Sequence, residues 1–188
     1  MNSFSLMQRG LSLAEEISPP IDFGTVANIS RQDFDEQEAL QFRTQVPAME
    51  YLSLLIENAV LLRTNRSGRI YAGFQKLSRM EPIVDRYLRI ADISERVYIF
   101  GIDDWTPPRH PHMKIVALKP TSTLSREWFV IAMSSNYHVA LIAKDEDGFD
   151  LPALEARSFK GFKTSNKTTV QRLAEEVENL VDRSVAGK

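Results

Sequence analysis

Apolar positions along the chain switch between helical and extended spacing, and this pattern predicts most of the elements. From Val46 to Arg63 apolar residues recur every third or fourth position, so we predict a helix there. A second stretch of helical spacing, Arg79–Ala91, lies between two extended runs, Arg69–Phe74 and Arg96–Gly101. Strand, helix and strand in this order form a βαβ unit, so we expect the two strands to be parallel.

Strand-like runs then continue up to a final helix. They are Lys114–Leu118, Glu127–Met133, Tyr137–Ala143 and Arg157–Thr164. The middle two are almost wholly apolar around a Ser-Ser-Asn turn, which predicts a central hairpin that is covered on both faces. In the last run, Phe159 and Phe162 stand three positions apart and share a face only if Gly161 forms a bulge, which we expect.

The chain ends in an amphipathic helix, for which Thr168 and Gln171 have the spacing of a capping box. Together these elements predict an α/β fold of mixed α+β type in a single domain. Its central sheet is mixed and partly antiparallel, with about five to six strands packed by helices. A βαβ unit comes first, followed by a β-meander and the C-terminal helix.

The first 45 residues are polar and are interrupted by Pro19-Pro20 and Gly24. We interpret residues 1–45 as a partly irregular N-terminal arm that includes a short helix near residues 5–16, and residues 46–188 as the folded domain. Deleting residues 1–40 should then cost less stability than removing one core leucine, about 2 to 5 kcal/mol.

Composition narrows the functional classes. The chain has no cysteine, so disulfides, thiolate metal ligands and cysteine nucleophiles are excluded. With 23 basic and 25 acidic residues and no dense basic block, it is a poor candidate for binding nucleic acid. Neither a signal peptide nor a span of about 20 apolar residues is evident, so we expect a cytoplasmic protein.

Catalytic and metal-binding motifs are also missing. His110 and His112 have no carboxylate or cysteine nearby to complete a metal site, and the acidic stretch 144–155 fails the calcium-loop pattern. We interpret that stretch as a solvated acidic loop. We therefore expect no enzyme activity, no metal and no other cofactor.

One loop, Asp103–Met113, is a candidate docking surface because its prolines limit its freedom and it carries a tryptophan. Trp105, Arg109 and His110 would then contact a partner protein. Alternatively, Trp105 folds back onto the edge of the sheet.

The order of these pieces resembles the DICT sensory domain, named for diguanylate cyclases and two-component systems. The likeness covers about residues 46–185. It rests on Phe74-Gln75 at the end of the first strand, on Arg126-Glu127-Trp128 before the hairpin, and on the Phe-bearing strand before the last helix. The resemblance implies a bacterial signal-input module, with cyanobacteria as a candidate source and a suggested link to light responses.

No kinase, cyclase or DNA-binding segment accompanies the domain, so we expect it to act on a separate signalling protein such as a histidine kinase or a diguanylate cyclase. A homodimer is a candidate oligomeric state. Because ligands collect at the ends of parallel strands, Gln75 and Arg79 are candidates to bind a small ligand. Arg126, Glu127 and Trp128 either share that pocket or pair with neighbouring strands. The alternative function is an adaptor that docks through the arm and the Trp105 loop.

Overall fold

The computed structural model describes residues 4–63 and 66–186, which form five α-helices and eight β-strands. The helices are α1 (Leu6–Ile17), α2 (Arg31–Glu36), α3 (Val46–Leu61), α4 (Val84–Ile93) and α5 (Lys167–Ala186). The strands are β1 (Ile21–Thr25), β2 (Ala39–Gln45), β3 (Arg69–Lys76), β4 (Arg96–Ile102), β5 (Met113–Leu118), β6 (Glu127–Met133), β7 (His138–Asp145) and β8 (Ser158–Thr164). No helix within the described ranges has the length and apolar character of a membrane span.

All eight strands belong to one mixed sheet, in the order β1-β2-β8-β7-β6-β3-β4-β5. The pairs β1–β2, β3–β4 and β4–β5 are parallel, and the pairs that join them are antiparallel. The predicted βαβ unit is confirmed, because α4 connects the parallel strands β3 and β4. The predicted hairpin is β6–β7, near the centre of the sheet, and β8 extends it into a meander.

Helices cover both faces of this sheet, which is why its central strands lack a polar face. The apolar side chains of α3 and α4 pack with Ile70 and Ala72 of β3 on one face. Those of α1 and α5 pack with Tyr71 of β3 on the other. Neighbouring residues of one strand therefore enter different cores, as the two-residue period of a strand requires.

Residues 4–45 are part of this fold, which corrects the expectation of an arm with little buried area. Leu6, Leu13 and Ala14 of α1 are buried in the core. The strands β1 and β2 were not predicted, and with them the sheet has eight strands where about five to six were expected. The polar composition misled because α1 buries only one apolar stripe, while β1 is an edge strand with mostly exposed side chains.

The expected bulge at Gly161 is wrong. β8 pairs in continuous register with both β2 and β7, so Phe159 and Phe162 enter opposite cores. Gly161 instead makes room for an aromatic ring, since a Cβ there would lie 2.3 Å from Cε2 of Phe42.

The predicted cap of the last helix is also wrong. Asn166 caps α5, because its Oδ1 accepts a hydrogen bond from the backbone N–H of Thr169 at 3.0 Å. Asparagine is among the best N-cap residues, and it precedes the helix by one position, whereas Thr168 already lies inside the helix.

Candidate functional site

A cavity opens at the edge of the sheet where four strands meet. β3 and β7 end at this edge, and β6 and β8 begin there, because Gly73 pairs with Phe129 and Asp145 pairs with Phe159. The first half of α3 and the 3-10 segment Leu77–Ile83 cover the edge and enclose about 560 Å³. That volume suits a small organic ligand. Polar groups in its wall include Ser53, Glu57, Gln75, Ser78, Arg79 and Arg157.

Arg157, just before β8, is the central charged group of this wall. Its side chain has no exposed surface, and its Nη1 donates to Oδ2 of Asp145 at 2.8 Å and to Oε1 of Gln75 at 2.9 Å. Nε of Arg157 donates to the carbonyl of Leu154 at 3.0 Å. Gln75 also donates from Nε2 to Oδ2 of Asp145 at 3.0 Å, so the three side chains form a closed network. Removing Arg157 or Asp145 would leave the other charge buried and unpaired, which is strongly destabilising.

Asp145 organises the loop between β7 and β8. Its Oδ1 accepts backbone N–H groups of Asp147 at 3.0 Å and Gly148 at 2.8 Å, and Gly148 has a φ of 79°, which favours glycine. Burial alone would raise the pKa of Asp145, but these N–H groups, Gln75 and Arg157 outweigh it and lower the pKa. Asp145 is only 2% exposed, which corrects our interpretation of the entire stretch as solvated.

Gln75 has a left-handed backbone conformation, with a φ of 66°. Among the residues that the structure describes, no other residue apart from glycine has a positive φ. This conformation costs roughly 1 to 3 kcal/mol and persists where surrounding contacts hold it. The side chain of Gln75 is 2% exposed, and its hydrogen bonds to Asp145 and Arg157 keep the backbone in this conformation. Such strain is often found at binding sites.

Aromatic side chains form the apolar part of the wall. Trp128, on β6, packs edge-on against Phe159 with ring centroids 5.9 Å apart. The guanidinium of Arg157 lies 5.3 Å from the centroid of Phe159 and 4.1 Å from that of Phe149. The indole and the buried charge are therefore connected through one ring, and a ligand could contact both.

A second buried carboxylate, Glu57 on α3, lies further along the cavity. It accepts hydrogen bonds from Nη1 of Arg86 at 2.8 Å and from the hydroxyl of Tyr87. Burial raises the pKa of Glu57, and the bonds to Tyr87 and Arg86 oppose that rise. Glu57 thus joins α3 to α4 and fixes one end of the cavity.

Two polar atoms of the wall have no hydrogen-bond partner among the residues that the structure describes. They are Nη2 of Arg157 and Oγ of Ser53, both buried. A buried donor of a charged group without an acceptor costs several kcal/mol relative to a satisfied one, about 1 to 3 for a neutral group. Because Nη2 has no accessible surface, an oxygen of a ligand would satisfy the guanidinium once the wall moves enough to uncover that atom.

Three of the predicted ligand-binding residues, Gln75, Arg79 and Trp128, line this one cavity. The structure does not bring Arg126 or Glu127 to it. Arg126 is exposed on a 3-10 segment, and a Cβ added to Gly148 would lie 3.3 Å from its Nη2.

Glu127 serves the opposite face of the sheet. It has no exposed surface, and its carboxylate accepts the hydroxyl of Ser5 and the backbone N–H groups of Leu6, at 2.8 Å, and Met7, at 3.3 Å. Burial raises the pKa of Glu127, although these bonds oppose the rise. The carboxylate therefore holds the N-terminus of α1, where a negative charge also stabilises the helix dipole.

The predicted docking loop touches the cavity wall at one point, because the carboxylate of Asp104 accepts the backbone N–H of Ser78 at 2.9 Å and its hydroxyl at 2.6 Å. Trp105 is partly buried and packs against the core, as the alternative interpretation had it, and Arg109 is exposed. Nε2 of His110 lies 2.7 Å from Oδ1 of Asp92, which attaches the loop to α4. Their contact with a partner stays a prediction.

Sequence reasoning missed Arg157, Asp145 and Ser53. Arg157 immediately precedes β8 and Asp145 ends β7, and charged residues at such positions are usually solvated. One signal was available, since an aspartate in a turn often accepts the backbone N–H two residues on, as Asp145 does from Asp147, and Gly148 follows in the same turn.

Comparison with known families identifies the family of this domain. The DICT family, described as "Sensory domain in DIguanylate Cyclases and Two-component system", matches residues 32–146, which is more than half of the chain. The chain belongs to the DICT family. The resemblance seen in the sequence is thus confirmed, and the family assigns a sensory role to the domain. Its matched part includes Gln75, Arg79, Trp128 and Asp145 but ends before Arg157.

Solved structures show a similar fold in unrelated contexts. TrmBL2, described as an archaeal chromatin protein with a novel mode of DNA binding, aligns with a TM-score of 0.50 at 11% identity, over 94% of this chain and 60% of its own. Polyphosphate kinase from Porphyromonas gingivalis aligns with a TM-score of 0.50 at 12% identity, over 76% of this chain and 26% of its own. The DICT chain spans less than two thirds of either protein, and at these identities the likeness concerns the fold alone. No curated protein gives a sequence match.

Proposed function

We propose that this DICT domain is a non-catalytic sensor that binds a small organic ligand in the strand-end cavity. Arg157 carries the proposal, because a guanidinium without exposed surface stands in the cavity wall with its Nη2 unpartnered among the described residues. The strained backbone of Gln75 next to it supports a binding role. Occupancy would be passed to a separate signalling protein, such as a histidine kinase or a diguanylate cyclase.

The absence of catalysis is part of this proposal. Both buried carboxylates near the cavity are held by basic partners, Asp145 by Arg157 and Glu57 by Arg86. A general base must be free to reach the proton that it removes, and these groups are engaged in structural pairs. The cytoplasmic location, a homodimer and a link to light responses stay predictions from the sequence and the resemblance.

The adaptor function is the weaker candidate. A concave cavity with polar groups at strand ends favours ligand binding, whereas an adaptor is expected to offer a broad apolar patch. Trp105, the proposed anchor for docking, is partly buried against the core.

The first test is to recover the ligand. The full-length protein is purified from its own cells, unfolded, and the released small molecules are identified by mass spectrometry. Arg79→Ala should lose the molecule, because Arg79 lines the cavity. Arg126→Ala is the matched control and should retain it. If wild type and Arg79→Ala release the same molecules in the same amounts, the cavity is not the sensor site.

A further inference from the structure

Two arginines give the strand-end cavity a surplus of positive charge. Arg157 has one acidic partner, Asp145, and its Nη2 has no acceptor among the described residues. Arg79, also in the wall, is close enough for its charge to act on Arg157, and it forms no ion pair within the described part of the chain. The two positive charges therefore share a single buried counter-charge.

The acidic residues of the wall do not offset this surplus. Glu57 is paired with Arg86 at 2.8 Å, so that pair is close to neutral. The charge of Glu155 also acts on Arg157, but less than that of Arg79; Glu50 and Glu155 are both exposed, and solvent weakens the field of an exposed charge. In addition, α3 begins at the cavity wall, beside Pro47, and has no side-chain cap, so the positive end of its dipole also lies there.

Another part of the cavity lining is aromatic. Trp128 and Phe74 line it, with Tyr51 at the rim, where its side chain is 52% exposed. Phe74 is held edge-on by Tyr87 at a centroid distance of 5.2 Å, and Trp128 by Phe159. Aromatic rings fixed in this way present flat surfaces on which a planar group can stack.

We propose that the ligand is an amphipathic small molecule with an oxyanion, a carboxylate or a phosphate, attached to a planar apolar body. The oxyanion binds at Arg157 and Arg79, and the planar body lies against Trp128. This inference rests on the proposed sensor function and adds the chemical class of the ligand. A neutral carbonyl would satisfy one N–H of Arg157 but would leave the excess charge of the arginine pair uncompensated.

A set of matched compounds tests the proposal by titration calorimetry on the full chain. Naphthoate, naphthyl phosphate and naphthamide share the planar body and differ in charge, and inorganic phosphate and acetate supply an oxyanion without that body. We expect one of the two charged naphthalenes to bind at least about tenfold more tightly than naphthamide, because charge-assisted hydrogen bonds are the stronger ones. Whether that is naphthoate or naphthyl phosphate distinguishes the two oxyanions.

Variants locate the binding. Arg79→Ala should remove the preference for the charged compound and leave the affinity for naphthamide within about twofold, whereas Arg126→Ala, an arginine outside the cavity, should change neither. Trp128→Leu should weaken the binding of the charged compound and of naphthamide alike.

Equal binding of the acid and the amide, or no binding by either charged compound, would overturn the oxyanion. The sensor function fails separately, if no molecule released from the purified protein depends on Arg79. Recovery of a native ligand that depends on Arg79 but lacks an oxyanion would keep the sensor function and refute the present inference.

Discussion

Glu127→Gln should release α1 from the sheet. In the wild type, the hydroxyl of Ser5 and the N–H groups of Leu6 and Met7 converge on one carboxylate without exposed surface. The amide has the same shape, but it carries a single acceptor oxygen and would direct an NH₂ group towards a donor. It also removes a negative charge from the N-terminus of a helix.

Two opposing effects set the magnitude. Each hydrogen bond to a charged group contributes about 1.5 to 3 kcal/mol, and at least one is lost. However, burial raises the pKa of Glu127, so the amide also avoids part of the cost of burying a charge. We therefore expect the free energy of unfolding to fall by about 1 to 3 kcal/mol.

Urea unfolding gives this free energy, and hydrogen exchange of the Leu6 and Met7 amides reports local release of α1. Glu176→Gln is the matched control, because Glu176 also tethers α1, through Nε of Arg9 at 2.6 Å, but at the surface. Exposed pairs contribute about 0.2 to 1 kcal/mol. The reasoning is refuted if Glu127→Gln costs no more than Glu176→Gln and the two amides exchange as in the wild type.

Three further changes test other parts of the fold. Gly161→Ala should lower the free energy of unfolding by about 1 to 3 kcal/mol in urea, because the new Cβ would lie 2.3 Å from Phe42. Adding Phe42→Leu to the same chain should reduce that loss, and strictly additive effects of the two changes would contradict the clash. Burial raises the pKa of Glu57, so the folded protein binds a proton at this group more tightly than the unfolded chain does. The wild type should therefore gain stability relative to Glu57→Gln as the pH falls from about 7 through the folded pKa towards 4.5. A stability difference that does not vary with pH would contradict the raised pKa. Asn166→Ala should lower the melting temperature through loss of about 1 kcal/mol of capping, and Thr168→Ala should have little effect; equal effects would restore Thr168 as the cap.

The sequence predicted those elements in which local spacing and tertiary environment agree. β3, α4 and β4 show clear periods, and the β6–β7 hairpin is apolar because helices cover both of its faces. The first 45 residues were misjudged because β1 lies at the edge of the sheet and exposes most of its side chains, as a loop would. The DICT resemblance supplied the sensory role, which periodicity alone could not.

Long-range pairing explains what the sequence missed in the site. Arg157 resembles a solvated strand end, and its burial depends on Asp145, 12 positions away, and Gln75, 82 positions away. The Arg-Glu-Trp motif was ambiguous for a similar reason. Glu127 and Trp128 are neighbours on β6, but one binds α1 beneath the sheet and the other lines the cavity above it.

The position of β8 between β2 and β7 determines when the sheet can be completed during folding. β2 and β7 do not pair with each other, so both keep an open edge until the segment Ser158–Thr164 is inserted. Contacts of such large sequence separation form slowly, and unpaired edges expose a chain to aggregation while they wait. The DICT match ends at residue 146, before β8, so a fragment cut at residues 32–146 would retain both open edges and leave Asp145 without Arg157. The smallest unit that folds is therefore expected to extend beyond the segment by which the family is recognised.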